Sequence, residues 1–264
     1  MILGSGTSYG VPVIGCSCAV CRSADTRDRR TRSSLYIEGG AGERVVIDTG
    51  PEFRLQALGA GITGLDCVLL THAHADHLHG LDDVRPLCRE RPLAVYGNRQ
   101  TLDEVRERFS YAFRETQKGG GKPRIVPCEA REPVRIGALL FTPVPVRHGD
   151  LEILGWKVRE EGGAAREAVY LTDTSLIPEP SFRLIGQPDV AVIGGLRALA
   201  HETHFSFEEA LQTGVRIGAR EIYLTHICHD HSHEEITALC RRFRARTACP
   251  AERVEPVYDG CVIR

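Results

Sequence analysis

Short apolar runs rich in β-branched and aromatic residues recur along the chain, each closed by turn-forming residues. Those at 33–38 (SSLYIE), 44–48 (RVVID), 67–71 (CVLLT) and 93–97 (LAVYG) predict strands. A hairpin-rich middle follows at 139–146, 152–158 and 168–173, and runs at 190–195 and 221–226 complete the strand list. The opening MILGSGTSYG has a strand-then-turn pattern. Helical stretches intervene at 51–61, 101–113 and 206–219. Ser206 stands three residues before Glu209, and Ser232 three before Glu235 ahead of 236–245; both are capping boxes. Both helices start beside a histidine cluster, which places those histidines on loops at strand ends. Strands in both halves with helices between them predict an α/β fold of two sheets packed face to face and covered by helices.

Composition narrows the function classes. A chain of 264 residues, 42% hydrophobic, can bury a full core. Its net charge of −2 offers no broad basic field for nucleic acid. No apolar run reaches membrane-spanning length, and no signal peptide is apparent, so a cytoplasmic, reducing location is expected. Cys67, Cys88, Cys128, Cys240, Cys249 and Cys261 then read as buried packing residues rather than disulfides. The segment 117–124 (QKGGGKPR) reads as a solvated loop, with a lid over an anionic substrate as the alternative.

The eleven histidines are unusually many and fall mostly in three clusters. In CVLLTHAHADHLHG, His72, His74, Asp76 and His77 follow directly on an apolar strand. Alternation along the strand end lets His72 and His74 converge on one ion. Asp76 and His77, past the turn, can face a second. Imidazole with hard oxygen suits zinc, manganese or iron. His148, Asp173 and His226 each stand at the C-terminal end of a predicted strand, where open α/β architectures place their sites. Together they point to a binuclear centre. Asp48, also at a strand end, is expected to orient a histidine ligand. Arg85 in GLDDVRPL could hold a phosphate or pair with a neighbouring aspartate.

A second constellation, CSCAVC at 16–21, sets three thiols in six residues. Thiolates this close repel unless a cation holds them, yet a closed zinc site needs a fourth ligand. His229, Cys228 and His231 in LTHICHDH are the candidates.

HAHADH fits the HxHxDH pattern of the metallo-β-lactamase-fold hydrolases, with His148, Asp173 and His226 in that superfamily's order. The resemblance implies a four-layer αββα sandwich over residues 1–264 as one domain. It implies that His72, His74 and His148 hold one ion and that Asp76, His77 and His226 hold the other, with Asp173 bridging. Within the superfamily, GTSYGVPVIGCSCAVC resembles the N-terminal segment of the phosphoribosyl cyclic phosphodiesterases of the carbon–phosphorus lyase pathway. That resemblance implies a structural zinc on Cys16, Cys18, Cys21 and His229. It also implies a role for His204, in AHETHFSFEEA, as general acid or oxyanion stabiliser. With Asp76, His204 is the residue expected to take part in the chemistry.

The expectation is therefore a hydrolase with two divalent ions (zinc, manganese or iron) and one structural zinc. Its substrate would be a small phosphodiester, cyclic in the closest resemblance, with no membrane or nucleic-acid partner and a homodimer as the assembly to test. Alternatives on the same scaffold are a tRNA 3′-end endonuclease and a lactone or thioester hydrolase. A metal-stabilised binding module is the alternative from another class.

Overall fold

The computed structural model describes residues 1–114, 121–162 and 166–264. In the N-terminal half, β1 (Ile2–Gly4), β2 (Ser34–Glu38), β3 (Arg44–Ile47), α1 (Phe53–Gly59), β4 (Cys67–Leu69) and α2 (Ala75–Leu78) lead to a 3₁₀ segment, Leu81–Cys88. Then come β5 (Leu93–Gly97), α3 (Arg99–Arg108), α4 (Ser110–Phe113) and β6 (Ile125–Glu129). The C-terminal half holds β7 (Val134–Ile136), β8 (Leu139–His148), β9 (Leu151–Glu160), β10 (Ala168–Leu171), α5 (Glu179–Ile185) and β11 (Val190–Gly194). It ends with α6 (Phe207–Arg216), β12 (Glu221–Thr225), α7 (His233–Thr247) and β13 (Arg253–Pro256). One sheet runs β1-β2-β3-β4-β5-β6 and the other β13-β12-β11-β10-β9-β8-β7.

The period of two along each strand builds the layers. In β3, Val45 and Ile47 face the opposite sheet, while Val46 lies under the helices with Phe53, Leu78 and Val105. In β10, Tyr170 faces inward, while Val169 and Leu171 pack on Phe207, Leu211 and Ile236 of α6 and α7. Three apolar cores between four layers make the expected αββα sandwich. Both capping boxes form as the spacing predicts, at Ser206 and Ser232.

The differences from the sequence reading are local. α3 begins before residue 101 because the Asn98 side chain accepts from the Thr101 N–H and caps the helix there. α7 begins at His233, directly after its cap, and runs to Thr247, longer than expected. Strands β6, β7 and β13 and helices α2 and α5 add to the elements that the sequence predicts. Of the cysteines expected to be buried, Cys67, Cys88, Cys240 and Cys249 are, whereas Cys128 on edge strand β6 and Cys261 near the C-terminus are half-buried. Arg85 pairs with Asp82. Of the 117–124 loop, residues 117–120 lie outside the described residues. Among the described residues no helix is long and apolar enough to cross a membrane.

Candidate metal centre

The parallel strands of both sheets end at one edge, and the histidines and carboxylates meet there. β3 delivers Asp48, β4 delivers Thr71 and His72, β10 delivers Asp173 and β12 delivers His226, while β8 ends in His148. Asp48, Asp173 and His226 have φ of 63°, 52° and 57°, so each strand turns sharply as it leaves the sheet. Asp and His tolerate this left-handed region better than most residues. The sheets are fastened beside the site: Leu154 N–H donates to Thr71 O at 3.0 Å, and Trp156 Nε1–H to Leu70 O at 3.2 Å.

Two ligand groups result. Ligand atoms of His72, His74 and His148 lie within 4.8 Å of one another, as do those of Asp76, His77, Asp173 and His226. Asp173 faces both groups. Its Oδ1 is 3.2 Å from Nε2 of His77 and of His226, and its Oδ2 is 4.0 Å from Nε2 of His72. Gly50 lets Asp76 approach: a Cβ there would lie 2.2 Å from Asp76 O.

The rings are oriented from behind. His77 Nδ1–H donates to Asp48 Oδ2 at 2.7 Å. Thr71 Oγ1–H donates to the same carboxylate oxygen at 2.8 Å, and His72 Nδ1–H donates to Thr71 Oγ1 at 3.0 Å. His148 Nδ1–H donates to Thr203 O at 2.7 Å. Asp48 thus orients one histidine of each group, the first directly and the second through a threonine. Each Nε2 is left turned inward.

Buried with no hydrogen-bond partner are Nε2 of His72, of His77 and of His226. Such orphaned polar atoms cost about 1–3 kcal/mol each, which a cation coordinated there would relieve. Electrostatics favour the same occupant. Burial and the neighbouring His77 hold the His72 imidazole well below its usual pKa. Burial also opposes charge on His77, but Asp173, Asp76 and Asp48 outweigh it and raise that group. Asp173 stays well below the carboxylate range despite burial, because His226 and His77 face it. Anionic carboxylates among imidazoles fit divalent ions.

His204 comes to the rim. Its ring stacks on His226 at 4.9 Å and tilts against His148 at 4.6 Å, with Nδ1 4.0 Å from Asp173 Oδ2. Burial and His226 push its pKa down to about 3. Its ligand atom also falls within 4.8 Å of those of His148 and Asp173. Beside it opens a cavity of about 610 Å³, lined among others by Arg147, Asp150, Ser175, Leu176 and Glu202.

The three thiols meet His229. Its Nδ1 is 3.4 Å from Cys16 Sγ, 3.5 Å from Cys18 Sγ and 3.4 Å from Cys21 Sγ. Backbone N–H groups of Val13 and Cys21 donate to Cys21 Sγ and Cys18 Sγ. Of the rival candidates, His231 has its ring against Phe207, and burial raises the Cys228 thiol to about 11. Neither belongs to the cluster. Sequence reasoning missed Thr71 and Thr203, which carry no chemical signal of their own.

A β-lactamase superfamily domain model matches residues 43–227. The chain belongs to the metallo-β-lactamase superfamily. That fold implies divalent metal ions in the His/Asp cluster. Across its full length it is similar to the crystal structure of a new diphosphatase from the PhnP family, at 36% identity, TM-score 0.85 and 96% coverage of that chain. The zinc-bound PqqB of Methylobacterium extorquens shares the fold, at 18% identity, TM-score 0.76 and coverage of 100% and 98%. An octanoyltransferase of Porphyromonas gingivalis is 43% identical over 232 residues, 87% of this chain and 46% of that protein. The chain spans less than half the length of the curated relatives it first matches.

Proposed function

We propose that the chain is a binuclear phosphohydrolase acting on a small phosphodiester. The observation that carries this reading is Asp173, whose two oxygens face the two ligand groups at 3.2 Å and 4.0 Å. On it, His72, His74 and His148 would hold one ion, Asp76, His77 and His226 the other, and Asp173 both. Cys16, Cys18, Cys21 and His229 would hold a zinc in a closed site with no position for water. When bound, the active-site ions supply Lewis acidity, which makes a water nucleophilic near neutral pH and draws charge from a phosphoryl oxygen.

The protein's own groups do the rest. Asp48 and Thr71 hold Nδ1–H of His77 and His72, so that Nε2 of each ring is aimed inward, where an ion would take the place of a proton. His204, neutral at working pH, is a hydrogen-bond donor rather than a proton carrier. It therefore suits stabilising the departing oxyanion, in preference to general-acid catalysis. Arg147 and Ser175 in the adjoining cavity are polar partners for the remainder of the substrate.

The similar PhnP-family protein is a diphosphatase, and its chemistry also cleaves a P–O bond, which supports the class of reaction. The octanoyl chemistry named for the P. gingivalis relative finds less support. Leu176 is the single large apolar residue among the described cavity-lining residues, so an acyl chain would meet a polar wall. The net charge of −2 favours a small substrate over a nucleic-acid backbone. The test is ring opening of 5-phosphoribosyl 1,2-cyclic phosphate followed by phosphorus NMR, with metal-replete protein and Asp173→Ala as control. Turnover lost in the variant is the expected result. No turnover by protein of measured metal content overturns that substrate and passes the test to dinucleoside diphosphates.

A further inference from the structure

Arg30 is 1% exposed, and its carboxylate partner Asp28 is 3% exposed. Burying a guanidinium is costly unless its donors are met, so its partners show what it is there to hold. Nη1 donates to Cys228 O at 2.5 Å, and Nη2 donates to His231 O at 3.0 Å and to Asp28 Oδ1 at 3.1 Å. Asp28 Oδ1 in turn accepts the His233 N–H at 2.6 Å. Arg30 is anchored on the other side by paired backbone bonds with Val11, at 2.9 and 2.8 Å, at the root of the loop that carries Cys16, Cys18 and Cys21. A Cβ on Gly6 would lie 2.6 Å from Arg30 O, so the N-terminal strand exit is pressed against it as well.

The two carbonyls that the fork grips bracket His229, and Cys228 lies two residues beyond His226. One side chain therefore clamps the short loop whose ends serve the His/Asp centre and the thiol cluster. We infer that Arg30 is a positioning residue that ties the geometry of the thiol cluster to that of the active centre. A lysine retains the charge but not the planar fork that spans two carbonyls and a carboxylate.

The experiment uses cobalt(II) as probe with Arg30→Lys in the full chain. Occupancy of the thiol cluster is read from its sulfur-to-cobalt charge-transfer absorption, and turnover from bis(4-nitrophenyl) phosphate. The kinetic arm rests on the phosphodiester reading, whereas the cobalt arm needs no substrate, so failure of one is distinguishable from failure of the other. With folding verified by circular dichroism, the expected result is about tenfold weaker cobalt binding at the thiol cluster, the scale of support lost behind a ligand. The kcat is expected to fall about tenfold at constant KM. Arg30→Lys combined with His229→Ala should be no slower than His229→Ala alone, because both act through one loop. An unchanged cobalt titration, or kinetic losses that multiply, overturns the inference. If Arg30→Lys does not fold, Asp28→Asn, which loosens the Nη2 anchor, is read by the same two outcomes.

Discussion

The Asp48 carboxylate lies 2.7 Å from Nδ1 of His77, and both side chains are wholly shielded from solvent. Burial raises the pKa of Asp48, and His77 beside it works in the opposite direction. Asp48→Asn keeps the volume but offers an amide that can donate as well as accept, so the tautomer of His77 is no longer dictated. Metal affinity at the His77 group should fall about 10- to 100-fold while the fold is retained. Metal content after dialysis against a graded chelator series measures this, and an Asn variant that retains metal like the native protein would falsify it.

His204→Ala should lower kcat about 10²- to 10³-fold with little change in KM, the scale of losing one donor to a developing oxyanion. Its pKa, pushed down to about 3, lies far below neutrality. The group is already neutral above about pH 4, so deleting it should leave the shape of the pH–rate profile between pH 5 and 8 unchanged. Loss of a limb in that range would instead assign proton transfer to His204.

The thiols of the CSCAVC cluster differ in the metal-free protein. The Cys21 N–H and His229 bring Cys18 down to about 6, while burial holds Cys21 up at about 11. A lowered pKa means thiolate above that value and thiol below it. Cys18 should therefore alkylate first at pH 7, slow sharply at pH 5, and be protected once zinc is added; Cys21 should lag throughout. Peptide mapping after brief iodoacetamide treatment reads the order, and equal labelling of the two would contradict it.

Gly50→Ala puts a methyl group where Asp76 O now lies, 2.2 Å from the ideal Cβ. Backbone cannot yield as a flexible side chain can, so Asp76 must shift. Activity should drop at least tenfold, because displacements near 1 Å at a reacting centre cost about that or more. Steady-state kinetics of the folded variant decide the matter, and native-like kcat/KM would mean that the 49–50 segment gives way instead.

Much of the centre was legible because its residue types are rare and sit where strands end. His72, Asp173 and His226 follow apolar runs that could hardly be anything but strands, and Asp48 does the same one strand over. Thr71, Thr203 and Arg30 were not legible. A threonine hydroxyl, a backbone carbonyl or an arginine becomes part of a site only through the partner that folding brings to it. The missed elements have simple causes too. β13 alternates Arg253 and Glu255 with apolar residues and ends in Pro256, an edge pattern with weak strand propensity. Helix α5 spans seven residues, too few for a helical period to stand out. Helix α2 is one turn that overlaps the end of the HAHADH motif, where ligand spacing masks any apolar stripe.

The left-handed conformations of Asp48, Asp173 and His226 bear on how this protein can evolve. Each such residue costs on the order of 1 kcal/mol that glycine would not. Replacing any of the three by glycine should therefore make the backbone more comfortable while emptying the centre of a working group. Selection for robustness and selection for turnover thus pull in opposite directions at the mouths of three strands. Tolerance to further change must come from the apolar layers between and behind the sheets, where Trp156, Phe141 and Phe207 are fully enclosed. Thermostable variants should accordingly collect their substitutions in those layers and leave the strand mouths untouched.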